Sequence, residues 1–181
     1  MNSYYSQEEL KELGFRKIGE SVFISRKASF YGIEDMVIGS HVRIDDFCIL
    51  SGNINLGSYI HISAFCALYG SFGIKMENYT GLSPRCTVFS ATDDFSGDYL
   101  ISPMVNKEFT HVTGGLVLIK KYTQIGSGCV ILPNLTLEEG VAVGAMSLIN
   151  KTLPKWSIYA GIPAKKIKKR EMGLLKHVIN E

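Results

Sequence analysis

The chain has 181 residues, 46% of them hydrophobic, and a formal net charge of +2. That length suits a single core, and so small a charge predicts no nucleic-acid partner. No apolar run reaches the ~18 residues of a membrane span. The N-terminus lacks a basic-then-apolar signal pattern, so the expected location is cytoplasmic.

In chain order, Ser6-Gln7-Glu8-Glu9 has the form of a capping box opening a short helix that stops near Gly14. Residues 1–19 are therefore expected to form a helical cap over the open end of the domain that begins at residue 20, where a bare strand edge would template aggregation.

From residue 20 the chain repeats every six residues. Apolar side chains recur at Ile24, Phe30, Ile38, Ile44, Leu50, Leu56, Ile62, Leu68, Met76, Leu82 and Val88. They resume at Ile119, Ile125, Ile131, Leu137, Val143 and Ile149, and the next residue is often glycine (Gly39, Gly57, Gly126, Gly144). An α-helical period cannot keep such a recurrence on one face. A strict short repeat predicts an all-β parallel β-helix, in which three hexads make one triangular coil and each coil buries its inward residues on the next. The domain is expected to span 20–163. Two steps, Phe30 to Ile38 and Leu68 to Met76, are eight residues long, and the large break follows Val88. All three interruptions fall at one corner of the triangle. The excursion at about 93–113 is long for a compact fold, which marks it as functional.

Cys48, Cys66, Cys86 and Cys129 each sit four residues past an apolar position and share no CxxC spacing. They are expected to stack inward as small buried hydrophobes. Residues 164–181 are expected to form a C-terminal helix with Leu174, Leu175 and Val178 as its apolar stripe, and Lys165, Lys166, Lys168, Lys169 and Arg170 crowd its start.

The glycine-punctuated hexads, the loop opened by Ser90-Ala91-Thr92-Asp93, and the closing Tyr159-Ala160-Gly161-Ile162-Pro163-Ala164-Lys165 resemble the hexapeptide-repeat acyltransferases. The likeness is nearest to the galactoside/maltose O-acetyltransferase branch, which includes enzymes that modify bacterial surface sugars. It covers roughly residues 20 to 170. It implies a left-handed β-helix, where general connection rules would favour a right-handed crossover. It also implies a homotrimer with active sites between subunits and acetyl-CoA as cosubstrate, with no metal.

The resemblance also assigns residues. The branch uses a histidine base just inside the loop; here that position is Asp93, a catalytic candidate that could act as a base only if the like-charged Asp94 beside it raised its carboxyl. A hydroxyl acceptor needs a base, so His61 is the expected substitute. Strand alternation points it outward beside Ser63, which matches an assisting asparagine. Arg43 and Asp45 stack one coil earlier, where Asp45 could orient the imidazole. His111 is the next candidate, near the far end of the loop. Asp93 and Asp94, in an acidic and aromatic loop, suit a polyhydroxylated sugar. Ser127, Ala145, Asn150, Lys151, Gly161, Lys165 and Lys168 match positions that contact the cofactor. The expected activity is acetylation of a carbohydrate hydroxyl in surface-polysaccharide assembly. The alternative is N-acetylation of a nucleotide-linked amino sugar, since a free amine needs less help from a base. A non-catalytic scaffold ranks lower. A zinc carbonic anhydrase of the same fold is disfavoured, because the histidines stand 20, 50 and 66 residues apart.

Overall fold

The computed structural model describes residues 3–178. Its strands wind into a left-handed parallel β-helix of about seven coils. The first face stacks Phe23–Ile24, Val42–Ile44, Ile60–Ile62, Gly81–Leu82, Gln124–Ile125, Ala142–Val143 and Ser157–Ala160. The second carries Ser29–Tyr31, the first halves of the long strands Ile49–Leu56 and Ala67–Met76, then Thr87–Phe89, Val130–Ile131 and Leu148–Ile149. The third carries Lys17–Ile18, Val37–Ile38, the second halves of the long strands, Val117–Ile119 and Leu135–Leu137.

The six-residue recurrence is the core. In-register pairing places Ile24, Ile44, Ile62, Leu82, Ile125 and Val143 in one column. Every position of the recurrence is buried except Phe30, which is half-buried near the capped end. There it meets Phe15 edge-on at 5.2 Å between ring centroids. The four cysteines are free and buried. Each thiol donates to a main-chain carbonyl of the next coil: Cys48 to Ser63, Cys66 to Ser83, Cys86 to Gly126 and Cys129 to Gly144, at 3.1–3.2 Å.

The corners bring a feature that the repeat did not announce. Between the third and first faces, His41, Tyr59, Tyr79, Tyr122 and Trp156 all take left-handed backbone conformations, with φ from 48° to 63°. Each costs an ordinary residue about 1–2 kcal/mol. Their rings stack coil on coil at 4.7, 4.7 and 5.6 Å, with Trp156 tilted at 6.2 Å. Contacts of this kind are worth about 0.5–1.5 kcal/mol each and offset part of that cost.

The interruptions gather at the edge between the second and third faces. Ala91–Thr92 pairs antiparallel with Thr113–Gly114 and closes the neck of the long loop. At the N-terminus the capping box forms as expected, and helix Gln7–Glu12 buries Leu10 on the open end. The first coil strand begins at Lys17, slightly before residue 20.

The C-terminal helix is much shorter than 164–181: it spans Leu175–Val178. Lys165–Lys169 instead runs back antiparallel to Ser157–Ala160. The last strand of a solenoid presents unpaired backbone groups, and this return satisfies them where a helix would leave an open edge. Arg170 then donates to the carbonyls of Tyr122, Gly140 and Val141, fastening the end of the chain to the aromatic edge. Residues 1, 2 and 179–181 of the expected terminal segments lie outside the described residues.

Leu68 is 0% exposed and pairs with Leu50 and Val88 on the neighbouring coils. Leu68→Ala should lower unfolding free energy by about 2–5 kcal/mol. Tyr31→Ala, at a side chain 61% exposed, should change it by no more than about 0.5 kcal/mol. Urea unfolding followed by circular dichroism checks this; equal losses would contradict the inward column.

Candidate functional site

Two outward columns flank the buried column of the first face. One aligns Phe23, Arg43, His61, Gly81, Gln124 and Ala142. The other aligns Asp45, Ser63, Ser83, Gly126 and Gly144, each of whose N–H groups donates into the next coil. Period-two alternation thus brings His61, Arg43, Asp45 and Ser63 together, as expected. His61 Nε2 lies 2.7 Å from Asp45 Oδ2, and Arg43 Nε donates to Oδ1 at 2.6 Å. The Tyr4 hydroxyl reaches the same oxygen at 3.4 Å. The Asp45 side chain is 16% exposed. Burial raises its carboxyl, but the His61 and Arg43 hydrogen bonds outweigh this and hold it below the usual carboxylate range. It is therefore a fixed anion that orients the imidazole. Gly81, lacking a side chain, opens a notch between His61 and Gln124. A cleft of about 560 Å³ lies there, with Arg43, His61, Ser63, Ser83 and Gln124 among its lining residues.

Further down the second column, side chains disappear. A Cβ on Gly126 would stand 2.6 Å from the Ala145 nitrogen, and one on Gly144 would stand 3.0 Å from the Ala160 Cβ. The floor is bare backbone, with Ser127 and Ala145 exposed on the adjoining edge. Ser147 Oγ donates to the Gly144 carbonyl at 2.7 Å and accepts from Gly161 N at 3.0 Å, so Gly161 is tied to the same edge. Lys165 faces Ala160 across the closing strand pair and Lys168 faces Ile158; both are exposed. A slender chain carrying amides could lie along this floor, with its anionic end among the lysines.

The remaining candidates stand elsewhere. Asp93 is exposed at the neck of the loop, and Asn150 and Lys151 are exposed beyond strand Leu148–Ile149. All three belong to the edge between the second and third faces, across the second face from the glycine floor. Asp94 Oδ2 is taken up by its own loop: it accepts from Ser96 N, Ser96 Oγ and Gly97 N at 3.1, 2.8 and 3.2 Å. The Ser96 hydroxyl leads in lowering that carboxyl. His111 stacks on Tyr99 at 5.1 Å within the loop rather than folding over His61. Among the described residues no three His, Cys, Asp or Glu side chains gather as a metal site.

Ser83 is the residue that sequence reasoning passed over. It follows Ser63 by one coil in the same column and precedes Gly126. It is therefore the last side chain before the bare floor. The six-residue register held that signal, because the column turns from polar side chains to glycine at Ser83.

No protein-family model matches the chain. It is 40% identical over 177 residues to dTDP-4-amino-4,6-dideoxy-D-glucose acyltransferase of Escherichia coli, covering 96% of this chain and 92% of that one. It is also 47% identical to AntD, an N-acyltransferase from Bacillus cereus, solved as a serine-to-cysteine variant with dTDP-4-amino-4,6-dideoxyglucose and coenzyme A. That superposition covers 99% of this chain and 97% of AntD with a TM-score of 0.97. AntD has also been solved with substitutions at a serine and at an aspartate ten positions apart, and with dTDP and 3-hydroxybutyryl-CoA. A hexapeptide-repeat acetyltransferase from Vibrio cholerae shares the fold at 15% identity, with a TM-score of 0.62 over 91% of this chain and 80% of that one. With the solenoid, the glycine-floored edge and a near-full-length relative in agreement, the chain belongs to the hexapeptide-repeat acyltransferase family.

Proposed function

We propose that the chain transfers an acyl group from acyl-CoA to the amine of a dTDP-linked 4-amino sugar. The observation that carries this reading is the glycine floor with Ser83 at its head, in a chain that matches AntD over nearly its full length. Ser83 and Asp93 are themselves ten positions apart, the separation of the serine and aspartate substituted in AntD. Sugar acylation is common to this reading and to acetylation of a hydroxyl; the relatives favour the amine. Both cosubstrates are charged, so we place the reaction in the cytoplasm, where it would supply modified sugars to polysaccharide assembly.

Pantetheine would lie over Gly126 and Gly144 beside Ser127, Ala145 and Gly161, with Lys165 and Lys168 near its phosphates. The acceptor nitrogen attacks the thioester carbonyl, forming the C–N bond and an oxyanion. Collapse breaks the C–S bond, and the proton lost by nitrogen leaves on the CoA sulfur. Ser83 supplies a hydroxyl beside the reacting carbonyl, where a hydrogen bond counts most as charge develops. Asp93 holds the sugar amine. His61, oriented by Asp45, contacts the acceptor, which as an amine needs less help from a base than a hydroxyl would.

The separation of Ser83 from Asp93, and of Ser127 and Ala145 from Asn150 and Lys151, supports a homotrimer. One chain would present its glycine-floored edge to the loop-bearing edge of its neighbour, a repeated contact that closes with threefold symmetry.

Thiol release from acetyl-CoA, followed against dTDP-4-amino-4,6-dideoxyglucose and against simple galactosides, tests the acceptor. Turnover of the amino sugar is expected; turnover of galactosides alone would overturn the reading. Ser83→Ala should lower kcat by about 10²-fold or more, as for loss of a hydrogen-bond donor to an oxyanion. Asp93→Asn should act mainly on acceptor KM. His61→Ala should cost less than about tenfold with the amine, whereas a hydroxyl acceptor would give the ~10²–10⁴-fold loss of a general base. Combining Lys165→Ala with Lys168→Ala should raise acyl-CoA KM at nearly constant kcat, the mark of contacts equal in ground and transition states. Unaltered KM in that variant would return the lysines to an ordinary solvated strand.

A further inference from the structure

The small net charge conceals an uneven distribution. Over residues 151–178 eight lysines and arginines stand against one acid, Glu171; over residues 1–150 eleven stand against fifteen. A solenoid advances along its axis as the chain advances, so charge segregated in sequence is segregated in space. The last coil and its closing strand therefore form a cationic end on a slightly acidic prism.

The closing strand divides its lysines between two sides. Lys166 lies opposite the buried Tyr159 and Lys169 opposite the buried Ser157, whereas Lys165 and Lys168 lie opposite the half-buried Ala160 and Ile158. Residues directly opposed across an antiparallel pair share a face. Lys165 and Lys168 thus stand on the outer side with the glycine floor, and Lys166 and Lys169 stand over the end of the core. There they join Lys155 and Arg170 around a cleft of about 450 Å³. Two aliphatic side chains accompany them: Ile167, in the same strand, is 62% exposed, and Met172, in the cleft lining, is 49% exposed. This end adjoins the aromatic edge, away from both edges of the proposed subunit contact. Lysines alone would guard an open strand edge against pairing; exposed aliphatic groups add nothing to that protection. Against a nucleic acid they would meet only a charged backbone. Lysines beside exposed aliphatic groups match a boundary that is anionic at its surface and apolar just beneath.

We propose that the C-terminal end of the prism docks on an anionic phospholipid bilayer. Lys155, Lys166 and Lys169 meet the headgroup phosphates, and Ile167 and Met172 enter the acyl boundary. In the proposed trimer the prisms lie side by side under threefold symmetry, so three such ends face one plane and their separate attractions add. The candidate acyl-transfer site runs along the side of the prism and stays open to soluble substrates.

Flotation of the intact protein with vesicles of equal parts phosphatidylglycerol and phosphatidylcholine tests this, with pure phosphatidylcholine vesicles and duplex DNA as comparisons. The protein should float with the mixed vesicles and not with phosphatidylcholine alone, and high salt should release most of it. Combining Lys155→Gln, Lys166→Gln and Lys169→Gln should weaken vesicle binding about 100-fold, roughly fivefold for each lysine near an anionic surface. The circular dichroism spectrum should be unchanged, since all three side chains are exposed. Ile167→Ser with Met172→Ser should weaken binding several-fold without altering its salt dependence. Saturating acetyl-CoA should leave vesicle binding intact, because Lys165 and Lys168 stand on the other side of the strand. Failure of the wild-type protein to float would overturn the proposal and leave the lysines as guards of a strand edge. Release of the vesicles by acetyl-CoA would overturn it by assigning the cluster to the cofactor. Tighter binding to duplex DNA than to the mixed vesicles would overturn it in favour of a nucleic-acid surface.

Discussion

Parallel pairing in strict register sets each residue directly over its counterpart one coil away, about 4.8 Å along the prism axis. A column must therefore be compatible with itself along its whole length. Inward columns satisfy this with aliphatic side chains and thiols, so the core is a stack of like on like rather than a mixed interior. The same constraint acts on the outside. Stacked rings fill one corner, and on the first face a polar column runs through Asp45, Ser63 and Ser83 before giving way to Gly126 and Gly144. Where a column loses its side chains, bare backbone becomes a groove. The candidate cofactor site is a consequence of register.

Register also sets the candidate residues on two separate edges of one chain. His61, Asp45 and Arg43 meet because they occupy adjacent columns in neighbouring coils. Asp93 follows a strand of the second face and emerges at the far edge, because each coil must turn there before continuing. Rigid flat faces cannot fold those two edges together. A second chain laid alongside can, and in the proposed trimer each neighbouring pair supplies one of each edge.

The fold was legible from the six-residue recurrence because solenoid burial is local: each apolar position reports on its own coil. The cysteine ladder and the corner of interruptions followed from the same count. The closing segment was not legible. Lys165 to Lys169 contains helix-favouring lysines, and only the need to cover the last strand edge of the first face makes it β. The aromatic corner was missed because a tyrosine in a left-handed conformation runs against local preference, and the stacking that sustains it spans coils rather than neighbours. At the site, the His61–Asp45 pair was readable from alternation. Ser63 was singled out and Ser83 was not weighed, since both obey the same spacing and only the glycine that follows Ser83 in its column distinguishes them. Asp94 shows the opposite limit, because nothing in its position revealed that its own loop would occupy the carboxylate.

The central claim is that one active site draws Ser83 from one chain and Asp93 from its neighbour. Mixing subunits tests it most directly. Chains carrying Ser83→Ala and chains carrying Asp93→Ala are unfolded, combined in equal amounts and refolded, and activity is read at an acceptor concentration far below KM, where each variant alone has little. If the site is shared across the contact, about a quarter of the sites in a random mixture receive both intact residues, and activity returns to about that fraction of wild type. If both residues serve the same site within one chain, no mixture contains an intact pair. Activity that stays at the level of the separate variants would contradict the account.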